Sequence, residues 1–192
     1  MSGGRRGALA LRVLFVVVLG LQVAVWVRAS MLYPELPERI PVHFNGAGEP
    51  DRWVARSAAA WFGLCVIPLA LGAFVGGIAW WLPSLVRSAP ALVNVPRKDA
   101  FLRLSPSGRL CVVRPVRLHL LWTIAAVETL FIVIQEGTAR VAAGSWSSLP
   151  VWPVFAIVGA IVAPIPWVYV AVGRKIESEA RSEAVAVGSG RT

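Results

Sequence analysis

The residues with the clearest potential for chemistry lie within nine positions of the chain and are His43, Asn45, Glu49 and Asp51. Zn²⁺ accepts imidazole and carboxylate ligands, so His43, Glu49 and Asp51 could form a divalent metal site. A single histidine in a strand can equally be a hydrogen-bonded structural residue that holds a turn. The sequence therefore predicts a surface that binds a ligand or partner, with a metal site as an alternative.

A fifth candidate, Glu128, is the only acidic residue inside a long apolar segment of the chain. An ionisable side chain in the hydrocarbon region is costly, so it is a functional hypothesis by default. Gln135 lies seven residues on and shares its helical face. We expect Glu128 to pair with the outer loop, where the candidate groups are Arg39, Arg52 and His43. The alternative is a protonated acid that hydrogen-bonds a neighbouring helix and has no ligand role.

Catalytic and cofactor-binding motifs are missing from the sequence. There is no Gly-x-Ser-x-Gly elbow, no Walker loop and no HExxH pair. His43 lies in the predicted outer loop and His119 at the cytoplasmic start of the third predicted span. The two are therefore separated by a membrane and cannot share a metal ion within one subunit. The sequence therefore predicts a protein that is not an enzyme and has no cofactor.

The composition points to a membrane protein. The 192 residues are 57% hydrophobic and 15% charged, with a mean hydropathy of +0.68, yet the net charge is +9 and the pI is about 11.2. A nucleic-acid-binding protein with such a pI would be rich in polar surface, which this chain lacks. The sequence therefore predicts contact with a lipid bilayer and no nucleic-acid partner.

Four apolar segments are about the 20 residues that a helix needs to cross the hydrocarbon core. They cover residues 8–27, 58–82, 116–135 and 151–172. The predicted fold class is an all-α membrane protein with four transmembrane helices and an ordered extracytoplasmic loop between the first two. Its predicted parts are a first domain over 1–105, a second helical pair over 106–172 and a cytoplasmic tail over 173–192.

The basic residues predict the orientation. Fourteen lie on one side of the predicted spans: Arg5, Arg6, Arg12, Arg87, Arg97, Lys98, Arg103, Arg109, Arg114, Arg117, Arg174, Lys175, Arg181 and Arg191. Five lie on the other side: Arg28, Arg39, Arg52, Arg56 and Arg140. The positive-inside rule places both termini and the 83–115 loop in the cytoplasm, and the 29–57 and 136–150 loops outside.

The outer loop over 29–57 is predicted to be ordered. Its prolines forbid a continuous helix, and residues 40–44 alternate enough for a short strand. Asn45-Gly46 and Gly48 favour a chain reversal after that strand. Asp51 suits an N-cap or Asx turn toward the second span.

Within the spans, small residues and prolines predict local packing. Gly72 and Gly76 form a GxxxG pair that lets another helix approach closely. Pro164 and Pro166 predict an irregular fourth span. Trp61 is among the aromatic residues expected at the headgroup level. The tail is predicted to become disordered over 188–192.

At the outer loop the sequence resembles a family, the prokaryotic membrane domain of unknown function numbered 1648. The hallmark run after a first transmembrane helix is matched by Leu36, Pro37, Ile40, Pro41, His43, Phe44, Asn45, Gly48 and Asp51. A second family motif is matched in the 83–115 loop by Asn94, Val95, Pro96, Arg97, Lys98 and Asp99. The resemblance covers about residues 10–105.

The resemblance implies a limited set of functions. The same domain is found at the front of SdpI-type immunity proteins, which protect a bacterium from a secreted toxic peptide and signal at the inner membrane. By this analogy, the leading hypothesis is a protein that binds or senses an extracytoplasmic peptide or membrane protein through the outer loop and Glu128. The 94–99 motif would then bind a cytoplasmic protein. The alternatives are a metal-dependent membrane enzyme or carrier and a structural subunit of a membrane complex.

Overall fold

The computed structural model describes residues 2–189, which form seven helices and one β-hairpin, joined in two places by short 3₁₀ turns. The helices are α1 (Ser2–Leu32), α2 (Ala58–Ser88), α3 (Lys98–Arg103), α4 (Pro106–Val112), α5 (Arg114–Ala142), α6 (Trp152–Val162) and α7 (Ile165–Ser189). The strands are β1 (Arg39–Phe44) and β2 (Pro50–Ala55).

Four helical segments are long and apolar enough to cross a membrane, as the sequence predicts. They lie over Gly7–Glu35, Ala58–Ser88, Pro106–Ala142 and Trp152–Ala186. Helix α2 begins at the predicted residue because the Ser57 hydroxyl accepts a hydrogen bond from the Ala60 N–H at 3.2 Å. The chain is therefore a multi-pass membrane protein whose exposed apolar side chains contact the bilayer.

The fourth span is broken, which confirms the predicted irregularity. Ala163 and Pro164 form a turn between α6 and α7, since proline lacks the N–H that would continue the helix. Helix α7 then runs on to Ser189, so the prediction of disorder from residue 188 is wrong for its first two residues. Residues 190–192 lie outside the described residues.

Helix α5 occupies the centre of the bundle, between α1, α2 and α6. Its approach to α2 uses the predicted GxxxG pair. A Cβ atom built on Gly72 would lie 3.5 Å from Ile124 Cγ2, and one on Gly76 would lie 3.8 Å from Ile124 Cδ1. Both distances are ordinary van der Waals contacts, so the two glycines allow α5 to approach closely and leave space beside them unfilled. Gly77, one residue on, has no neighbour within 4 Å of such a Cβ among the described residues.

The two ends of the bundle differ in chemistry. We call the end that carries residues 39–55 and 143–151 the hairpin end. The opposite end, which carries the start of α1, residues 89–113 and the later part of α7, is the basic end.

The basic end contains more structure than the predicted 83–115 loop. Phe101 of α3 and Val112 of α4 are buried in one cluster with Val86 of α2 and Ile176 of α7. This cluster stabilises the two short helices because their apolar residues are buried against α2 and α7. The sequence of residues 83–115 alone does not indicate this contact. The Glu183 carboxylate of α7 also accepts a hydrogen bond from the Ser105 hydroxyl at 2.5 Å, next to the start of α4.

The hairpin confirms the predicted strand over residues 40–44 and the reversal after it. Strands β1 and β2 are antiparallel, with Ile40 opposite Val54 and irregular register near His43. Asp51 lies within β2, so its predicted role as a cap of the second span is wrong. Ser57 fills that role instead, because the chain remains extended until that residue.

Gly48 connects the hairpin to the 143–151 loop. Its φ is +83°, in the left-handed region, and its carbonyl accepts a hydrogen bond from the Leu149 N–H at 2.7 Å. A Cβ atom at this position would collide with the Leu149 carbonyl oxygen. Glycine is therefore required both by the backbone conformation and by the close approach of the second loop.

Trp61 is buried within the bundle and not exposed to the surrounding headgroups. The side chain is fully buried, and its Nε1–H donates a hydrogen bond to the Ala29 carbonyl at 2.9 Å. This bond connects α2 to α1, and Trp61 lies in the same buried cluster as Leu36 and Ile40 at the hairpin. Trp80, Trp152 and Trp167 do remain exposed.

We predict that Gly48→Ala destabilises the protein while Gly46→Ala does not. The first change adds backbone strain of about 1–3 kcal/mol and displaces Leu149. The second lies in the same turn but has nothing within 4 Å of a new Cβ atom among the described residues. Heat-induced unfolding in detergent, followed by tryptophan fluorescence, measures the difference. Equal unfolding temperatures for the two variants would contradict the assigned role of Gly48.

Candidate functional site

His43 and Asp51 form a pair across the two strands of the hairpin. His43 Nδ1 lies 2.5 Å from Asp51 Oδ1, and the two side chains are 55% and 45% exposed. The irregular register beside His43 brings these two residues together although they are not direct partners in the ladder. The pair therefore presents an imidazole and a carboxylate to the surroundings at the hairpin end.

Asn45 and Glu49 form a second pair that shapes the turn. The Asn45 side-chain oxygen accepts hydrogen bonds from the N–H groups of Ala47 at 2.9 Å and Glu49 at 3.0 Å. The Asn45 amide also donates to a Glu49 carboxylate oxygen at 2.9 Å. An asparagine is needed because only its short amide can both accept from the turn and donate to the carboxylate.

The two pairs do not make one metal site. Glu49 is directed to Asn45 rather than to His43 and Asp51. Within residues 2–189, no three His, Cys, Asp or Glu side chains lie close enough to hold a metal ion together. The three-ligand arrangement of the metal alternative, His43, Glu49 and Asp51, is therefore not assembled.

The hairpin is held firmly on the bundle. Leu36 and Ile40 are buried in a cluster with Ala29 of α1, Trp61 of α2 and Ala139 of α5. On the adjoining segment, the Arg56 guanidinium donates a hydrogen bond to the Leu36 carbonyl at 2.5 Å. The leucine and isoleucine of the family motif are thus anchors, and they orient the polar residues between them.

Strand β2 has one open edge. The Arg56 N–H donates to the Glu38 carbonyl at 2.7 Å, so the main chain of Arg56 faces β1. Because bonding alternates along an antiparallel ladder, the main-chain groups of Ala55 and Trp53 are directed away from β1. The sheet has two strands, and no other strand of the described residues pairs with β2.

Glu128 does not contact the hairpin. It is 0% exposed and lies on the face of α5 that is directed to Gln22 of α1 and Gly72 of α2. With the Gln22 amide nitrogen facing the carboxylate, Gln22 donates to Glu128 Oε1 at 2.7 Å and accepts from Trp26 Nε1 at 3.2 Å. The predicted pairing with the outer-loop groups is therefore wrong, because this face of α5 is directed into the bundle. The alternative, a protonated acid bonded to a neighbouring helix, agrees with the Gln22 contact in this amide orientation, while its protonation and lack of a ligand role stay predictions.

Helix α5 carries further buried polar side chains on the same face. Gln135 and Thr138 are 1% and 2% exposed, and Gln135 donates to Cys65 Sγ of α2 at 2.9 Å. Glu128 Oε2, Gln135 Oε1 and Thr138 Oγ1 have no hydrogen-bond partner among the described residues. Such groups are costly in the hydrocarbon region, so this polar face is the second candidate site. Gln22, Cys65 and Thr138 were missed because nothing in their own sequence neighbourhoods shows which helices meet.

At the hairpin end the polar face finishes in an ion-pair cluster. Glu136 accepts from Arg28 of α1 at 2.7 Å and from Arg140 at 3.0 Å. These three side chains and Leu36 are among the residues that line a cavity of about 210 Å³. The cluster lies outside the residues selected from sequence, which gave no sign that Arg28 and Glu136 are neighbours.

The 94–99 motif lies at the basic end. Asn94, Lys98 and Asp99 are exposed, and Pro96 is half-buried. The residue that docks the motif is Arg97, which sequence reasoning did not select as a site residue. Its φ is +54°, and its guanidinium pairs with Glu177 of α7 and reaches the Gly173 carbonyl at 3.5 Å. The motif thus presents Asn94, Lys98 and Asp99 outward while Arg97 fixes it to α7.

We predict that Gln22→Leu destabilises the bundle and that Gln22→Leu/Glu128→Leu recovers most of the loss. The single change leaves both Glu128 oxygens without partners, which costs about 1–3 kcal/mol, whereas the double change removes the buried acceptor as well. Unfolding in mixed detergent micelles gives the free energies for this cycle. A double-variant loss equal to the sum of the two single losses would contradict the hydrogen bond.

No curated protein and no solved structure matches the chain. Residues 20–71 match the family model described as domain of unknown function DUF1648. The match runs from α1 through the hairpin into α2, and it includes every hallmark residue from Leu36 to Asp51. The chain is therefore a multi-pass membrane protein with a DUF1648 segment over residues 20–71, which confirms the resemblance at the hairpin, while the 94–99 motif and the rest of the predicted 10–105 extent lie outside the match.

Proposed function

We propose that this protein is a non-enzymatic receptor that binds an extracytoplasmic peptide at its hairpin. The hairpin end faces outward from a bacterial inner membrane, and both termini lie in the cytoplasm. The support for this orientation is the excess of lysine and arginine at the basic end, which the positive-inside rule assigns to the cytoplasm.

The observation that carries the proposal is the open edge of β2. Trp53 and Ala55 direct main-chain groups away from β1, and an extended peptide would satisfy them by adding a third strand. Main-chain bonds of this kind give affinity with few demands on peptide sequence. The anchored hairpin favours such binding because little conformational entropy remains to be lost.

Side chains beside this edge would supply specificity. His43 and Asp51 are exposed and already paired, and Arg52 is exposed next to them. An imidazole, a carboxylate and a guanidinium offer donors and acceptors to polar side chains of a peptide. A toxic peptide is one ligand of this class, by analogy with the immunity proteins that share the domain.

The basic end would report binding to the cytoplasm. Asn94, Lys98 and Asp99 are exposed on a segment that Arg97 and Phe101 hold against α7 and the basic-end core. A cytoplasmic protein that recognises these three side chains would therefore meet a fixed surface. Helix α5 joins the two ends directly, since it contacts the hairpin at one end and α4 at the other.

We predict that peptides selected from a random displayed library bind the full-length protein in lipid nanodiscs as an added strand. N-methylation of a selected peptide at alternate positions should abolish binding for one parity only, because only one set of N–H groups faces the hairpin.

On the protein, Ala55→Pro removes one open-edge N–H and should weaken binding about five- to tenfold, while Ala55→Thr keeps that N–H and the affinity. Both variants should unfold at the same temperature as the parent. The proposal would be overturned if no peptide were selected. It would also be overturned if N-methylation of either set of alternate positions had the same effect and Ala55→Pro left the affinity unchanged.

A further inference from the structure

A cavity of about 410 Å³ lies between α1, α2 and α5 toward the basic end. Most of its lining is apolar, from Phe15, Ala73, Trp80 and Leu121 among others. Two cationic side chains, Arg12 of α1 and Arg117 of α5, complete the wall, and no acidic side chain lines it. The cavity therefore combines an apolar groove with a compact positive charge.

The two arginines are held differently. Arg117 is half-buried, and its Nε–H donates to the Ala79 carbonyl of α2 at 2.9 Å, which fixes its guanidinium at the groove. Arg12 is exposed and has no ion-pair or hydrogen-bond partner in the part of the chain that the structure describes. Arg114 lies one turn before Arg117 and adds positive charge beside it. An anion at the groove could therefore bind the Arg117 guanidinium, which is already held in place, and the Arg12 guanidinium, which is free to turn toward it.

The apolar part of the groove exists because of two glycines. Gly72 and Gly76 line it, and they leave α2 without side chains over one turn. From Ala79, beside Arg117, to Gly72 the groove follows seven residues of α2, or about 10 Å along the helix. Phe15 and Trp80 at its margins are exposed among the apolar side chains that face the bilayer. The groove thus opens to the membrane and leads inward from the arginines.

We propose that this groove binds one anionic phospholipid. The phosphate is held by Arg12 and Arg117, whose guanidinium groups suit phosphate oxygens. One acyl chain lies along Gly72 and Gly76. Basic pockets between transmembrane helices at a cytoplasmic surface are suited to acidic headgroups. The ligand is a lipid rather than free phosphate because the apolar groove is continuous with the phosphate position.

This site is separate from the peptide-binding edge proposed for the hairpin. It lies at the opposite end of the bundle and shares no residue with β1 or β2. A failure of one proposal therefore leaves the other standing.

The test uses the full chain in a mild detergent, with native mass spectrometry to count bound lipids. Phosphatidylglycerol should bind at least about tenfold more tightly than phosphatidylcholine with the same acyl chains, because charge-assisted bonds to two guanidinium groups are at stake. Arg12→Gln should remove most of that preference. Arg39→Gln, which changes an exposed arginine at the hairpin end, should leave the preference unchanged.

A second pair of variants tests the acyl chain. Gly76→Leu places a side chain in the groove and should weaken binding of both lipids, while Gly77→Leu, one residue on and outside the groove lining, should not. Inorganic phosphate should neither compete with phosphatidylglycerol nor raise the unfolding temperature. Wild-type lipid binding by Arg12→Gln or by Gly76→Leu would overturn the proposal, as would effective competition by inorganic phosphate.

Discussion

The close contact of α5 with the glycine face of α2 determines what the rest of the bundle can do. A Cβ atom at Gly72 would lie 3.4 Å from Glu128 Oε1, so the carboxylate lies directly beside this glycine. This contact seals Glu128 away from lipid, and the same run of glycines leaves the lipid-facing groove open. A side chain longer than that of alanine at position 72 would compete with the Glu128 carboxylate for this place, and an acidic side chain moved into hydrocarbon is costly.

The hallmark run of the DUF1648 domain divides into residues that build the hairpin and residues that it presents. Leu36 and Ile40 bury apolar surface against the bundle, and Asn45 and Gly48 give the turn its shape. His43 and Asp51 are exposed and paired with each other, whereas the exposed Asn45 side chain pairs with Glu49. The other hallmark residues therefore hold His43 and Asp51 in fixed positions. Such preorganisation of polar side chains favours ligand binding.

Features governed by local pattern could be predicted from the sequence. Apolar length predicts the four spans, proline predicts the break at Pro164, and turn residues predict the reversal after Phe44. Features governed by which helices meet could not be predicted. The surroundings of Glu128 and Trp61 depend on α1, and those of Arg97 depend on α7, about eighty residues away in sequence. Only the packed bundle brings these partners together.

The two proposed sites are connected through helices that they share. Helix α5 contacts β1 at the hairpin end, and its Leu121 and Arg117 line the lipid groove toward the other end. Between them lies a buried polar face on which three oxygens have no hydrogen-bond partner within residues 2–189, so a small rearrangement there could form new hydrogen bonds. A ligand at either end changes the other only if it favours one arrangement of this face, because equal affinity for two states shifts neither. Glu128 and Gln135 belong to this face. Any coupling between peptide binding and lipid binding would therefore depend on how the hydrogen bonds of these two side chains differ between the two arrangements.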